Sequence, residues 1–325
     1  MSTVIEYFYS TEHLLLSLAI AFMAMVVMLG NGIVLAAFLR FKQLRKEHCC
    51  YLITSLAFSD FITGFGMLTG STGLLYYQLS HNSYKSFYCM IIIAPALVGV
   101  LVTQALTVAI AWDRIQAFHQ PLKYRRRNHR KFAVNTLSAS FSCALCFTVS
   151  AFPLATLDGR PEICTFAASV PKAFGAVFGL FNLSLSVTVF VFYLLALCLL
   201  RRQLKQAKRD AEKARLLKRH MKMSKTIFAV LTVFVFFWVL PNVSFLFILG
   251  LTSNHAVLLR ATPILNLSSL VNSSANPVIY AAKHATIRKY MVAVLKGKWN
   301  RVAQGSDYRR TVQQQSRNNI EMIGQ

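Results

Sequence analysis

A single carboxylate, Asp60, stands in the middle of a long apolar run covering residues 50–77. A charge at such a place costs at least ~2.5 kcal/mol on membrane-insertion scales, so it must face inward and find partners. Other polar groups interrupt apolar runs at matching depths. At 1.5 Å of rise per helical residue, Asp60 lies roughly 15 Å from the end of its run. Asn31, Thr103 and Asn276 fall in the same layer, about 10–17 Å from the same face, with Asn272 and Ser273 one turn above. One carboxylate among amides and hydroxyls is an oxygen-rich donor set for a hard monovalent cation such as Na⁺, or for an ordered water network. The alternative is that these groups satisfy one another and glue helices together.

A second constellation closes the third apolar run, where Asp113 and Arg114 stand side by side at its end. Two prolines inside later runs, Pro241 and Pro277, each free a backbone carbonyl and permit a kink. Kinked helices in a bundle can have two packings, which makes them natural hinges. The last run also carries a polar stripe at helical spacing: Asn266, Ser269, Asn272, Ser273, Asn276 and Tyr280.

The elements that hold these residues are long and apolar. The chain has 325 residues, 55% hydrophobic and only 14% charged, against about a quarter charged in a soluble domain. Seven stretches reach the ~20 residues needed to cross a bilayer core: 14–39, 50–77, 88–112, 132–157, 174–200, 226–251 and 256–282. The predicted fold class is therefore all-α, a seven-transmembrane helix bundle. Its expected organisation is a short extracellular N-terminus over 1–13 and the bundle over 14–282. An amphipathic helix at the inner leaflet follows over 283–297, then a disordered tail over 298–325. The first run lacks a basic flank and is preceded by Glu6 and Glu12, so it reads as a retained span rather than a cleaved leader.

A net charge of +24 first suggests a nucleic-acid partner. The basic residues, however, sit between the apolar runs and almost all on one side, which argues for a lipid bilayer and no nucleic acid. Only Lys85, Arg160, Lys172 and Arg260 lie on the other side, out of 35 lysines and arginines. That asymmetry puts the basic connectors, including Arg125–Arg127 and the helix-forming stretch 201–225, in the cytoplasm and the N-terminus outside.

Of the seven cysteines, Cys49 and Cys50 then face the reducing side, and Cys143, Cys146 and Cys198 lie within apolar runs. Cys89 and Cys164 meet oxidising conditions and are each other's available partner, so a disulfide between them is expected.

The ordered set Gly30-Asn31, Leu56-Ala57-x-x-Asp60, Cys89, Asp113-Arg114-Ile115, Pro241 and Asn276-Pro277-Val278-Ile279-Tyr280 resembles the rhodopsin-like (class A) G-protein-coupled receptors over about residues 14–296. Within that family, Lys42-Gln-Leu-Arg-Lys and the stretch from Asp113 to Tyr124 look most like the nematode serpentine chemoreceptors of the Srsx class. The resemblance implies that Asp113 cages Arg114 until activation frees it to meet a heterotrimeric G protein. Tyr193 and Tyr280 match tyrosines that support the open state. Asp60, Thr103, Asn272, Ser273 and Asn276 match the family's sodium pocket. In the amphipathic helix, Ile287, Met291, Val294 and Leu295 are expected to face lipid.

The sequence departs from the family pattern at the helix-6 trigger. Val239 holds the aromatic position one turn below Pro241, with Trp238 displaced by one residue. Gln104 and Val235 replace an apolar and an aromatic member of the core switch, the fourth run lacks its tryptophan, and Leu185 replaces a proline. The transmission route is therefore expected to be built differently.

By position, the outer cavity is expected to be lined by Met67, Ser71, Leu97, Val100, Leu101 and Phe178. Phe181, Asn182, Asn242, Leu246 and Asn266 complete it. This is an apolar pocket with a few amides and hydroxyls, suited to a small, mostly neutral ligand, with a short peptide as the alternative and hence a neuropeptide-type receptor. Ala96 stands where amine receptors carry an aspartate, and Leu270 where opsins carry their lysine. The histidines lie in loops or at run ends, with no H-E-x-x-H or phosphate loop, so no enzyme is expected. A channel or transporter would want repeats and several midplane charges, neither of which is present. The chemosensory resemblance implies the plasma membrane, that of a sensory cilium included, and no cofactor beyond a structural Na⁺.

Overall fold

The computed structural model describes residues 10–80, 86–155, 172–207, 226–243 and 255–297, and among them there is no strand. Helix α1 is Thr11–Arg40; its first turn is capped by Ser10, which accepts from the His13 amide at 3.2 Å, and Arg40 closes it against the helix dipole. A 3₁₀ turn, Leu44–Lys46, leads to α2, His48–Ser80. Then come α3, Ser86–His119, and the short α4, Pro121–Arg126, opened by a proline at its first position, where no intrahelical amide is needed. Helices α5, His129–Ala155, and α6, Lys172–Ala207, follow. The chain continues with α7, Thr226–Val243, α8, His255–Lys283, and α9, Ala285–Leu295.

Among the described residues, six helices are long and apolar enough to cross a membrane: Thr11–Arg40, Cys50–Ser80, Phe87–His119, His129–Pro153, Phe174–Lys205 and Thr226–Val243. Helix α8, at 29 residues, has the length, but its polar stripe dilutes its apolar content. Together α1, α2, α3, α5, α6, α7 and α8 close a ring: α1 packs on α2 and α8, α6 on α7, and α7 on α8, while α3 lies against α2, α5 and α6. The seven-helix class expected from the hydropathy pattern is the class observed. The sixth span, expected over 226–251, is described as far as Val243, and the connector 208–225 and the expected tail over 298–325 lie outside the described residues.

The bundle is inverted relative to a water-soluble protein. Phe22, Leu29, Leu145, Val149, Leu180, Val187 and Leu194 are exposed, whereas Asn31, Asp60, Thr103, Gln104, Asn182, Ser273 and Asn276 are buried. Apolar residues on the outside, with the polar groups gathered inside beside an apolar core, is the arrangement that lipid demands, because only the interior offers hydrogen-bond partners.

Small residues let α2 and α3 touch backbone to backbone. A Cβ on Gly99 would stand 2.5 Å from Thr63 Oγ1 and 2.6 Å from the Thr63 amide nitrogen, and one on Gly66 would collide with the backbone of Pro95 and Ala96. Prolines free carbonyls, and neighbouring helices take them up. Pro277 leaves Ser273 O without an intrahelical donor, and Asn31 Nδ2 of α1 donates to it at 3.2 Å. Pro241 does the same to Phe237 O, which accepts from Ser268 Oγ of α8 at 2.5 Å.

Just before Pro241, Val235–Val239 forms a π-turn, closed by the Leu240 amide donating to Val235 O. One extra residue in the turn changes which side chains below it face the interior.

Helix α9 departs from the expected orientation. His284 caps it, and Tyr290 stacks on Phe41, the residue that caps the end of α1, with ring centroids 4.5 Å apart. Ile287 and Met291, expected to face lipid, are buried, while Leu295 is exposed. The single-residue joint at His284 turns the helix under α1, so part of its apolar face packs on the bundle.

Candidate functional site

Asp60 is completely buried on α2 and draws donors from two other helices. Its Oδ1 accepts from Ser273 Oγ of α8 at 2.8 Å and from Thr103 Oγ1 of α3 at 3.3 Å, and its Oδ2 accepts from Asn276 Nδ2 at 2.8 Å. Ser59 joins the group, since Thr103 Oγ1 also lies 3.0 Å from Ser59 Oγ. Asn31 does not reach Asp60 in this network; it binds the α8 backbone at Ser273 O and its own helix at Val27 O. Several acceptor oxygens remain buried without a protein partner: Asn31 Oδ1, Asn272 Oδ1, Asn276 Oδ1 and Gln104 Oε1. Orphaned acceptors at this density call for a water or a cation. The oxygen-only donor set of Asp60, Thr103, Ser59 and Ser273 fits a hard monovalent ion.

Above this layer lies a small, partly open cavity of about the size of one water molecule, lined by Thr63, Val100, Thr103, Gln104, Phe234, Trp238, Ser269, Asn272 and Ser273. Of the residues expected at the outer pocket, Val100 lines it. Asn182 sits at its edge through Gln104, whose Nε2 donates to Asn182 Oδ1 at 2.8 Å, and Asn182 in turn donates to Phe178 O.

The other residues expected at the outer pocket make the following contacts. Met67 packs on the cluster of Ile20, Ala24, Val27 and Leu270, Leu97 packs against Met90 and Ala151, and Leu101 belongs to the central core. Ser71 bonds back to Leu68 O, Phe178 packs its ring on Phe147, and Asn242 donates to Trp238 O. Phe181 is exposed and Asn266 half-buried, while Leu246 lies outside the described residues.

Phe234 and Trp238 both face the cavity, with ring centroids 6.4 Å apart. The sequence places Trp238 one residue out of register, and the π-turn at 235–239 supplies that residue. The aromatic pair therefore reaches the interior although Val235 and Val239 hold the expected positions. Nothing in composition or periodicity signals an i+5 turn; a proline preceded by an off-register tryptophan was the available hint.

At the basic end of the bundle, Arg114 pairs with Asp113, both buried. Tyr124 of α4 bridges the pair: its hydroxyl accepts from Arg114 Nη2 at 2.7 Å and donates to Asp113 Oδ2 at 3.0 Å. Arg127 stands 3.6 Å from the other Asp113 oxygen and stacks over Phe132 with 3.3 Å to the ring centroid. Burial lowers the Arg127 guanidinium from its ordinary value, and the Asp113 carboxylate works against that shift.

Tyr124 and Arg127 were not singled out from the sequence, because their reach depends on how α4 folds back beneath α3. Further along, Tyr193 of α6 shares a hydrogen bond of 3.1 Å with Thr232 of α7, and Tyr280 is buried with its hydroxyl unpaired to protein. Cys89 is buried and disulfide-bonded, while its expected partner Cys164 lies outside the described residues.

One comparison with known proteins bears on this arrangement. Residues 30–280 match the 7 transmembrane receptor (rhodopsin family), a stretch that runs from the glycine before Asn31 to Tyr280 and so takes in the Asp60 layer, the cavity and the Arg114 cage. The chain belongs to the rhodopsin family of seven-transmembrane receptors, multi-pass membrane proteins that bind ligands and couple to G proteins.

Proposed function

We propose that this receptor is chemosensory, close to the Srsx class, and that it takes a small, mostly neutral ligand. In this reading it sits in the plasma membrane, N-terminus outside, and Cys89 pairs with Cys164 over the mouth of the bundle. Ligand-driven outward movement of α7 about Pro241 frees Arg114 to receive a helix of the G protein. The observation that carries the reading is the cage of Asp113, Tyr124 and Arg127 around a buried Arg114. A buried arginine held by removable partners is a two-state element that a distant ligand can bias. The small cavity above the Asp60 layer is lined by amides, hydroxyls and aromatics with no charged group of its own, which favours a neutral ligand over an ionic one. Asp60, Thr103, Ser273 and Asn276 would hold a Na⁺ ion, whose charge would stabilise the closed bundle.

The test uses the full receptor in lipid nanodiscs with a purified heterotrimeric G protein. An agonist comes first from a reporter screen of volatile and small polar compounds. Arg114→Ala is expected to abolish agonist-stimulated nucleotide exchange at near-normal surface expression. Exchange equal to wild type would remove Arg114 from the coupling step.

A further inference from the structure

Glu47, Cys50 and His284 meet at the basic end of the bundle, away from the Asp60 layer and the Arg114 cage. Each comes from a different segment: Glu47 ends the 3₁₀ turn after α1, Cys50 lies in the first turns of α2, and His284 forms the joint between α8 and α9. Their carboxylate oxygen, thiol sulfur and imidazole nitrogen all lie within 4.8 Å of one another. His284 Nε2 is 3.3 Å from Glu47 Oε2. Cys50 and His284 are buried and Glu47 is partly exposed, which leaves one side open.

We propose that this cluster is a binding site for a transition-metal ion of the zinc class. Bond lengths of about 2.3 Å to sulfur and about 2.0–2.2 Å to nitrogen and oxygen put tetrahedral ligands about 3.3–3.7 Å apart. The His284–Glu47 edge already has that length, and the thiol needs a side-chain adjustment of about an ångström at most to complete the face. One thiolate, one imidazole and one carboxylate select zinc over magnesium or calcium, which take all-oxygen sites. With both acids ionised, the site neutralises a divalent ion, so burial does not oppose it.

The partly exposed Glu47 side leaves the fourth position to water. His284 Nδ1 accepts from the Ile287 amide at 3.4 Å, at the long end for such a bond. Ligation through Nε2 moves the ring proton to Nδ1, so the metal bond replaces this cap. The ion would tie the α1–α2 connection to the α8–α9 joint, a link independent of which ligand the receptor senses.

The experiment titrates Co²⁺ alone into chelator-treated full-length receptor in nanodiscs and reads absorption. One ion per chain is expected, with tetrahedral d–d bands and thiolate-to-cobalt charge transfer, displaced by Zn²⁺ added in stoichiometric amount. Cys50→Ser should remove the charge-transfer band, and Glu47→Gln should weaken Co²⁺ affinity at least tenfold with the fold intact. Absence of the band in the wild type would overturn the site, as would its persistence in Cys50→Ser, which would assign it to another cysteine. Unchanged affinity in Glu47→Gln would overturn it equally, and this variant stands if the cysteine variant fails to fold.

Discussion

Gly99→Ala tests whether the α2–α3 contact holds the Asp60 layer together. The added methyl would sit 2.5 Å from Thr63 Oγ1, 2.6 Å from the Thr63 amide nitrogen and 2.7 Å from Thr63 Cα. Two of those three atoms are backbone, so no rotamer change relieves the clash, and the helices must separate by about 1 Å to reach ordinary contact. Thr103 lies one turn along α3 from Gly99, and its bond to Asp60 is already 3.3 Å. A 1 Å separation carries it beyond hydrogen-bonding range.

Overpacking costs about 1–3 kcal/mol, and a lost hydrogen bond to a charged group about 1.5–3 kcal/mol, giving about 2.5–6 kcal/mol in all. At roughly 2 °C per kcal/mol for a chain of this size, the melting temperature should fall by about 5–12 °C. Tryptophan fluorescence of the purified receptor in nanodiscs measures it. Gly70→Ala on α2 is the control: nothing lies within 4 Å of the added methyl. Relief of glycine's helix penalty should hold or raise the melting temperature there. Equal melting of Gly99→Ala and wild type would refute the close-packing argument.

Three further outcomes follow from the same geometry. In the wild type, exchanging K⁺ for Na⁺ should lower agonist affinity about fivefold or more. Asp60→Asn should abolish that sensitivity, with Asn276 able to turn its orphaned oxygen toward the new amide; a wild type indifferent to Na⁺ would leave the layer as helix glue. Tyr124→Phe keeps the ring and removes the hydroxyl between Arg114 and Asp113, so ligand-independent nucleotide exchange should rise by up to about tenfold, the equivalent of 1.4 kcal/mol; unchanged basal exchange would show that the Asp113 contact alone sets the cage. Ser268→Ala removes the donor to Phe237 O and should lower the melting temperature by about 2 °C while raising basal exchange.

The spans were legible because a bilayer imposes one length and one polarity on every crossing element, and the six apolar helices start within three residues of the hydropathy pattern, while the ends of the first five differ by up to seven, at His119. The partnership of Asp60 with Thr103, Ser273 and Asn276 was legible for a similar reason: depth along a helix is linear in sequence. Depth alone does not give azimuth. Asn31 shares the layer but points at the α8 backbone, and Asn272 shares the stripe but lines the cavity. The Gln104–Asn182 bond depends on the mutual rotation of α3 and α6, which no single helix encodes. Tyr124 escaped notice because its hydroxyl is brought to Asp113 by the fold of a connector.

The π-turn bears most directly on how such a receptor switches. Pro241 removes one rung of the α7 ladder, and the turn at 235–239 loosens the rungs beside it, so the helix is weakest where Trp238 and Phe234 meet the cavity. Any pivot at Pro241 displaces the segment below it, which includes Thr232, bonded to Tyr193 of α6, and Phe237, bonded to Ser268 of α8. In the proposed pivot those bonds would stretch or break, and each is a single neutral contact worth about 1 kcal/mol, small enough for a bound ligand to offset. A receptor that pivots there must respond to the loss of either bond in both stability and basal exchange. If Ser268→Ala melts early but exchanges nucleotide at the wild-type rate, the carbonyl it served is not part of the moving joint, and the pivot lies elsewhere in α7.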